Sequence, residues 1–279
     1  MKLGVFAKTF AGNTPREVLG AARRAGYEAV QYNWACSGLG SLPDRIPEGE
    51  AVAVGLAAAG AGLEVVALST TYNMVHPDLS RRQAGRRAFA ASASAAGEAG
   101  ARLLTVCTGS RDPEDQWRHH PDNRSPGAFQ DLCEECEAVL ALAEAHDLWV
   151  GVEPELGNVV DSARRARELL DALRSERLRI VLDPANLFEV AGPAERRRLV
   201  EEAVDLLGSR ISLAHAKDRD AAGRVVAAGR GVVDFGHFLA TLRRAGFDGP
   251  LVTHGLTEAE APEVALRLRA LVQGGEGAG

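Results

Sequence analysis

Glu153, Asp183 and His215 each stand directly after a short apolar run: Trp149–Val152, Ile180–Leu182 and Ile211–Ala214. A charged group buried without a partner is costly. Its recurrence at the same point of three successive runs therefore asks for one shared purpose. Two carboxylates and an imidazole form a donor set suited to Mn²⁺, Mg²⁺, Co²⁺ or Zn²⁺. Singly, each residue has an ordinary explanation. A Glu before Pro154 is often a loop residue, Asp183-Pro184 is a common turn opener, and a lone His after a strand is usually a hydrogen-bonded core residue. The repetition is what favours a metal site. Further polar residues stand at or shortly after these and other apolar runs: Lys8, Asn73, His76, Arg111, Glu155, Asn186, Lys217 and His254.

The elements that must position these residues follow from the spacing. Eight short apolar runs can be counted: Leu3–Phe6, Ala29–Tyr32, Val65–Leu68, Leu103–Val106, Trp149–Val152, Ile180–Leu182, Ile211–Ala214 and Leu251–Thr253. They alternate with longer amphipathic segments, the rhythm of βαβ units and a parallel sheet. Thr14-Pro15 opens the first helix and Gly26 closes it, Asp161-Ser162 and Pro193 open later ones, and Gly100 and Gly246 close others. A Gly-rich phosphate loop, expected after the first strand of an open doubly wound sheet, is missing from Ala7–Asn13. Gly229-Arg230-Gly231 is too short a match to count. The predicted fold is α/β, a single (β/α)8 TIM barrel over residues 1–273 with its active site at the C-terminal ends of the strands. Residues 274–279 are expected to form a frayed tail. The long connection from Cys107 to Ser125 reads as a functional loop.

Composition narrows the function classes. The chain has 279 residues, 46% of them hydrophobic, enough for one buried core. A net charge of −6 argues against tight nucleic-acid binding, which depends on neutralising phosphates, and offers no attraction to anionic lipid. No apolar run approaches the length of a membrane span. Met1–Phe6 reads as a strand rather than a signal peptide. Cys36, Cys107, Cys133 and Cys136 show no disulfide framework, and Cys133-Glu-Glu-Cys136 sits in a helical pattern without a second ligand pair. The expectation is a cytoplasmic protein with reduced thiols.

At the strand ends the sequence resembles the xylose isomerase-like barrel superfamily, the sugar phosphate isomerases and epimerases. The motifs are Val150-Gly-Val-Glu153-Pro-Glu155, Ile180-Val-Leu-Asp183-Pro-Ala-Asn186, Leu213-Ala-His215-Ala-Lys217-Asp218, Ala228–Phe235 around Asp234, Phe247–His254 and Tyr72–Asp78. The resemblance covers nearly the whole chain and is specific for the superfamily rather than for one substrate. It implies one divalent metal, Mn²⁺ first with Mg²⁺, Co²⁺ or Zn²⁺ as alternatives, held by Glu153, Asp183, His215 and, at the fourth place, His254. In the family's epimerases that fourth ligand is a Glu, and the two Glu residues pass a proton across an enediolate while the metal polarises the carbonyl. An imidazole can ligate a metal or act as a base, but it does not bridge metal and substrate as a carboxylate does. Asn186 stands where the family often has a His that contacts substrate.

The resemblance therefore implies a metal-dependent isomerase or epimerase acting on a small polyhydroxylated carbonyl compound. Glu153, His254 and Glu155 are the catalytic candidates. Lys8, Asn73, His76, Arg111, Trp117, Asn186, Lys217 and Arg230 are the substrate-binding ones, and Arg219 is a further cationic candidate. Trp34 and Tyr72 are read either as ring-stacking walls or as core aromatics, and His119-His120 as site or turn. A dehydratase or lyase of the same superfamily shares the first proton abstraction and is the alternative, with a non-catalytic sugar-binding barrel behind it. A trinuclear zinc nuclease would need more ligands than remain. Dimers are common among enzymes of this resemblance, which is compatible with a homodimer.

Overall fold

The eight apolar runs become eight parallel strands because each is short, apolar and buried on both faces. The computed structural model describes residues 1–274, so the expected tail lies, after Gly274, outside the described residues. The strands are β1 (Leu3–Phe6), β2 (Ala29–Tyr32), β3 (Glu64–Ser69), β4 (Leu103–Cys107), β5 (Trp149–Glu153), β6 (Leu178–Leu182), β7 (Ile211–Ala216) and β10 (Leu251–Thr253). They close into a barrel in the order β1-β10-β7-β6-β5-β4-β3-β2. A separate antiparallel ribbon, β8 (Asp218–Arg219) with β9 (Val225–Val226), rises from the end of β7. Sequence reasoning did not anticipate that ribbon; two-residue strands carry no periodicity to read.

Among the described residues eight α-helices surround the barrel: α1 (Pro15–Arg24), α2 (Glu50–Ala61), α3 (Leu79–Ala96), α4 (Pro126–Ala145), α5 (Ala163–Leu173), α6 (Pro193–Leu207), α7 (Phe235–Arg244) and α8 (Ala261–Gln273). Their starts are set by side-chain caps. Thr14 accepts from the Glu17 N–H ahead of Pro15, Ser125 from Ala128, Ser162 from Arg165, and Asp234 from His237. Pro193 is the first residue of α6, as its position in the sequence predicts. None of these helices is long and apolar enough to cross a membrane.

Two apolar layers result. The larger lies between the strands and the helices and includes Trp34, Tyr27, Phe89 and Phe238, all fully buried. The smaller fills the bottom of the barrel with Ala67, Leu103, Val181, Leu213 and Val252. That inner plug leaves the opposite, C-terminal end free for polar residues. Trp34 and Tyr72 belong to the scaffold. The Trp34 Nε1–H donates to Ser92 Oγ (3.0 Å) and the Tyr72 hydroxyl donates to the buried Glu135 carboxylate of α4 (2.6 Å). The four cysteines are free, and Cys136 is buried on the inner face of α4.

The long connection after β4 is held by its own polar network. Ser110 Oγ donates to the Arg118 carbonyl, and Asn123 Oδ1 accepts from the Arg111 N–H. Gly157, after β5, lets this loop approach. A Cβ there would lie 2.0 Å from the Trp117 carbonyl oxygen, so no other residue fits without moving Trp117.

Candidate metal centre and cavity

Parallel pairing brings the strand ends to a common level, and the side chains that follow meet inside the rim. One ligand atom from each of Glu153, Asp183, His215 and His254 lies within 4.8 Å of all the others. Their side chains are sunk to different depths: Asp183 is 0% exposed, His215 4%, Glu153 10% and His254 20%. Glu153 Oε1 lies 3.0 Å from His215 Nδ1 and accepts from Asn186 Nδ2 at 3.0 Å. Asp183 Oδ2 lies 2.9 Å from His254 Nε2, and its Oδ1 accepts from the Ala185 N–H. The two imidazole rings are 4.4 Å apart between centroids.

Charge in this cluster is unbalanced toward acid. Glu153 and Asp183 face one full cation, Lys217, whose ammonium is 3.5 Å from Asp183 and 3.1 Å from Glu155. Burial disfavours charge on every member, yet the mutual attractions outweigh it for most of them. Against burial, Lys217 and the two imidazoles hold the Asp183 carboxyl far below its usual range, and His215 does the same, less strongly, for Glu153. Burial is likewise outweighed at Lys217, raised by Asp183 and the two Glu residues, and at His215, raised by Glu153. For His254 burial and the neighbouring His215 win, and its pKa falls. Burial also wins at Glu155, whose pKa rises despite Lys217. The two carboxylates and two imidazoles converge with oxygen and nitrogen donors at one point. That is the donor chemistry of a divalent cation site. The Asn186 Oδ1, buried with no hydrogen-bond partner, is a further unsatisfied acceptor beside it.

Above the cluster opens a cavity of about 450 Å³. Glu153, Glu155, His215, Lys217, His254, Lys8 and Trp117 line it, as the sequence suggests. The rest of its wall includes residues that sequence reasoning missed: Gln31, Asn33, Ser41, Ser69, Thr71 and Gln116. Gln31 and Asn33 had one readable signal, polar residues in or just after the apolar run of β2. Lys8 donates to Ser41 Oγ (3.2 Å), and Trp117, half-exposed, stands at the rim.

Five other expected site residues are turned away from the cavity. Arg111 donates to the Val75 carbonyl and pairs with Asp131 of α4 (2.6 Å). Arg230 pairs with Glu260 and Glu263 at the start of α8. Asn73 spans the backbone of Ser110, donating to its carbonyl and accepting from its N–H. His76 fixes the turn before α3, with Nδ1 accepting from Asp78 N–H and Nε2 3.0 Å from the Pro113 carbonyl. Arg219 donates to the Ala185 and Gly223 carbonyls. Nearby partners claim each of them, so they brace loops. Asn186 is buried and donates to Glu153 and is not among the residues that line the cavity. His120 caps the short turn Pro121–Arg124 rather than facing a ligand.

The family model described as xylose isomerase-like TIM barrel matches residues 19–271. No match was found among curated proteins. Among solved structures, the apo 3-keto-D-glucoside 4-epimerase of E. coli superposes with a TM-score of 0.76 at 16% identity, covering 97% of this chain and 99% of that one. L-ribulose 3-epimerase gives 0.78 at 12% identity, with 99% and 95% covered. The IolI protein with a bound zinc atom gives 0.74 at 15%, with 98% and 99% covered. At such identities the likeness to individual structures is one of fold. With the match over most of its length, and with a closed eight-stranded barrel, the chain belongs to the xylose isomerase-like TIM barrel family.

Proposed function

We propose that the protein is a divalent-metal-dependent isomerase or epimerase of a small polyhydroxylated carbonyl compound. The observation that carries this reading is the convergence of Glu153, Asp183, His215 and His254 within 4.8 Å at the base of a cavity walled by hydroxyl and amide groups. Similar structures include epimerases of 3-keto-D-glucoside and L-ribulose and a protein with bound zinc, which agrees with the reading.

Glu153, Asp183, His215 and His254 would hold the metal. When bound, the metal polarises a substrate carbonyl and makes the neighbouring C–H more acidic. The chain's own groups supply the remainder. Asn33, Ser69, Thr71 and Gln116 offer hydrogen bonds to substrate hydroxyls. Glu155 lines the cavity with its carboxyl pushed toward the protonated form by burial, which suits a group that takes and returns a proton. Lys217 fixes Glu155 in place and offers positive charge to an oxygen that becomes negative. Trp117 at the rim offers an apolar ring face beside the cavity.

A β-elimination of the same kind of substrate is the second reading, favoured by His254 standing in the fourth place of the donor set. One experiment separates these. Protein purified without added chelator is assayed for bound metal, beside Asp183→Ala. The Mn²⁺-loaded protein is then offered ketoses, inososes and keto-acids in D₂O. The expected result is metal in the parent and little in the variant, with deuterium appearing at a carbon next to the carbonyl. Loss of water from the product would favour elimination. Equal metal in both proteins, or no carbon-bound deuterium with any substrate, would overturn the proposal.

A further inference from the structure

His215 has a named partner on each ring nitrogen. Its Nδ1 faces the donor cluster, 3.0 Å from Glu153 Oε1, and its Nε2 lies 2.7 Å from Gln31 Oε1. Gln31 is a polar residue within the apolar run Ala29-Val30-Gln31-Tyr32 and is only 5% exposed. Its amide is oriented in turn. Nε2 donates to Thr105 Oγ1 at 2.9 Å, and that hydroxyl directs its own proton to the Leu68 carbonyl at 3.4 Å. With its proton so used, the Thr105 oxygen accepts from Gln31, and Gln31 must present its carbonyl oxygen to His215. A carbonyl oxygen accepts only, so His215 carries its proton on Nε2. In the neutral ring that a metal ligand requires, the lone pair then falls on Nδ1, which faces Glu153, Asp183 and His254. The strut runs across the barrel, from β7 to β2 to β4, and owes nothing to local sequence.

Resting on the metal-site reading above, we propose that Gln31, itself oriented by Thr105, is the positioning residue that fixes His215 as an Nδ1 ligand. Neutral imidazole ligands gain basicity and a fixed ring plane from an acceptor on the far nitrogen, and loss of such a partner typically weakens metal binding about 10–100-fold.

The test is calorimetric titration of Zn²⁺ and of Mn²⁺ into chelator-stripped protein, for the parent, Gln31→Leu, Gln31→Glu and Thr105→Val. Gln31→Leu should lose about 10–100-fold in affinity. Gln31→Glu, which keeps an acceptor at Nε2, should bind within a few-fold of the parent or more tightly. A role in packing alone predicts the reverse order, because leucine suits a buried site and a carboxylate does not. Thr105→Val leaves β2 and every ligand intact and frees the Gln31 amide to turn, so it should bind more weakly than the parent. It also keeps the idea testable should the leucine variant fold poorly. Side-chain ¹⁵N spectra of the zinc-loaded parent should show His215 protonated on Nε2. Parent-like affinity in both Gln31→Leu and Thr105→Val, or a proton on Nδ1, would overturn the assignment while leaving the metal site standing. A parent that binds neither metal would overturn both.

Discussion

Asp218, the first residue of β8, is fully buried, and its carboxylate organises the loop beyond the β8–β9 ribbon. One oxygen accepts from the N–H groups of Arg219 (2.8 Å) and Val233 (3.0 Å), the other from Gly229 (3.0 Å) and Gly231 (2.9 Å). Gly231 is required by this closeness, since a Cβ there would lie 2.1 Å from the Arg219 carbonyl oxygen. In Asp218→Ala four donors lose an ionised acceptor. A hydrogen bond to a charged group contributes about 1.5–3 kcal/mol and an abandoned buried donor costs about 1–3 kcal/mol. The full sum is not reached, because water can enter at the more open N–H groups and the burial penalty of the charge is relieved. A net loss of about 3–5 kcal/mol follows, concentrated in residues 218–233. Asp218→Asn keeps one accepting oxygen for two of the four donors and should fall roughly midway. Amide hydrogen exchange is the suitable assay, since local opening at this loop need not unfold the barrel. Exchange at Gly229, Gly231 and Val233 should accelerate by about 10²–10⁴-fold, at roughly 1.4 kcal/mol per decade. Unchanged protection at those three amides would refute the view that the carboxylate holds the loop.

Three further outcomes are expected. His254→Ala should weaken Mn²⁺ or Zn²⁺ binding by more than the ~10–100-fold typical of an outer partner; parent-like titration curves would remove His254 from the ligand set. Glu155→Gln should leave metal content unchanged and slow deuterium incorporation into substrate by about 10²–10⁴-fold, the usual reach of a general base; an unchanged rate would reassign the proton transfer. Asp234 caps α7 through the His237 N–H and pairs with Arg197, which together hold its pKa below the usual value. A depressed pKa stabilises the fold above the ordinary aspartate range near pH ~4 and the effect fades as pH falls through the folded value. The stability gap between the parent and Asp234→Ala should therefore be about 1 kcal/mol at neutral pH and shrink in denaturant melts below pH ~4.

The barrel and its four clustered donors are legible in the sequence for the same reason. A strand that ends on a polar residue states both where the element stops and which rim that residue occupies. Glu153, Asp183, His215 and His254 are all of this kind. Direction of the side chain is not stated that way. Arg111 and Arg230 stand near strand or loop ends like the others, yet Asp131 of α4 and Glu260 and Glu263 by α8 draw them aside. Those carboxylates lie 20 or more residues along the chain, on or at the start of helices whose packing against the loops brings them near. Gln31 fails in the opposite sense. It lies within a strand, where a single polar residue looks like a flaw in an apolar run, and its partners on β7 and β4 become visible only after closure.

The apolar plug of Ala67, Leu103, Val181, Leu213 and Val252 has a consequence for traffic. With that end of the barrel filled by apolar side chains, the cavity beside Trp117 is, among the described residues, the approach to the donor cluster. Depth then becomes order. On the metal-site reading, Asp183, whose side chain has no exposed surface, would receive the ion before a substrate could occupy the space above it. It would depart only after that space empties. A bound substrate would thus shield the ion, and a chelator would reach it only while the cavity stands empty.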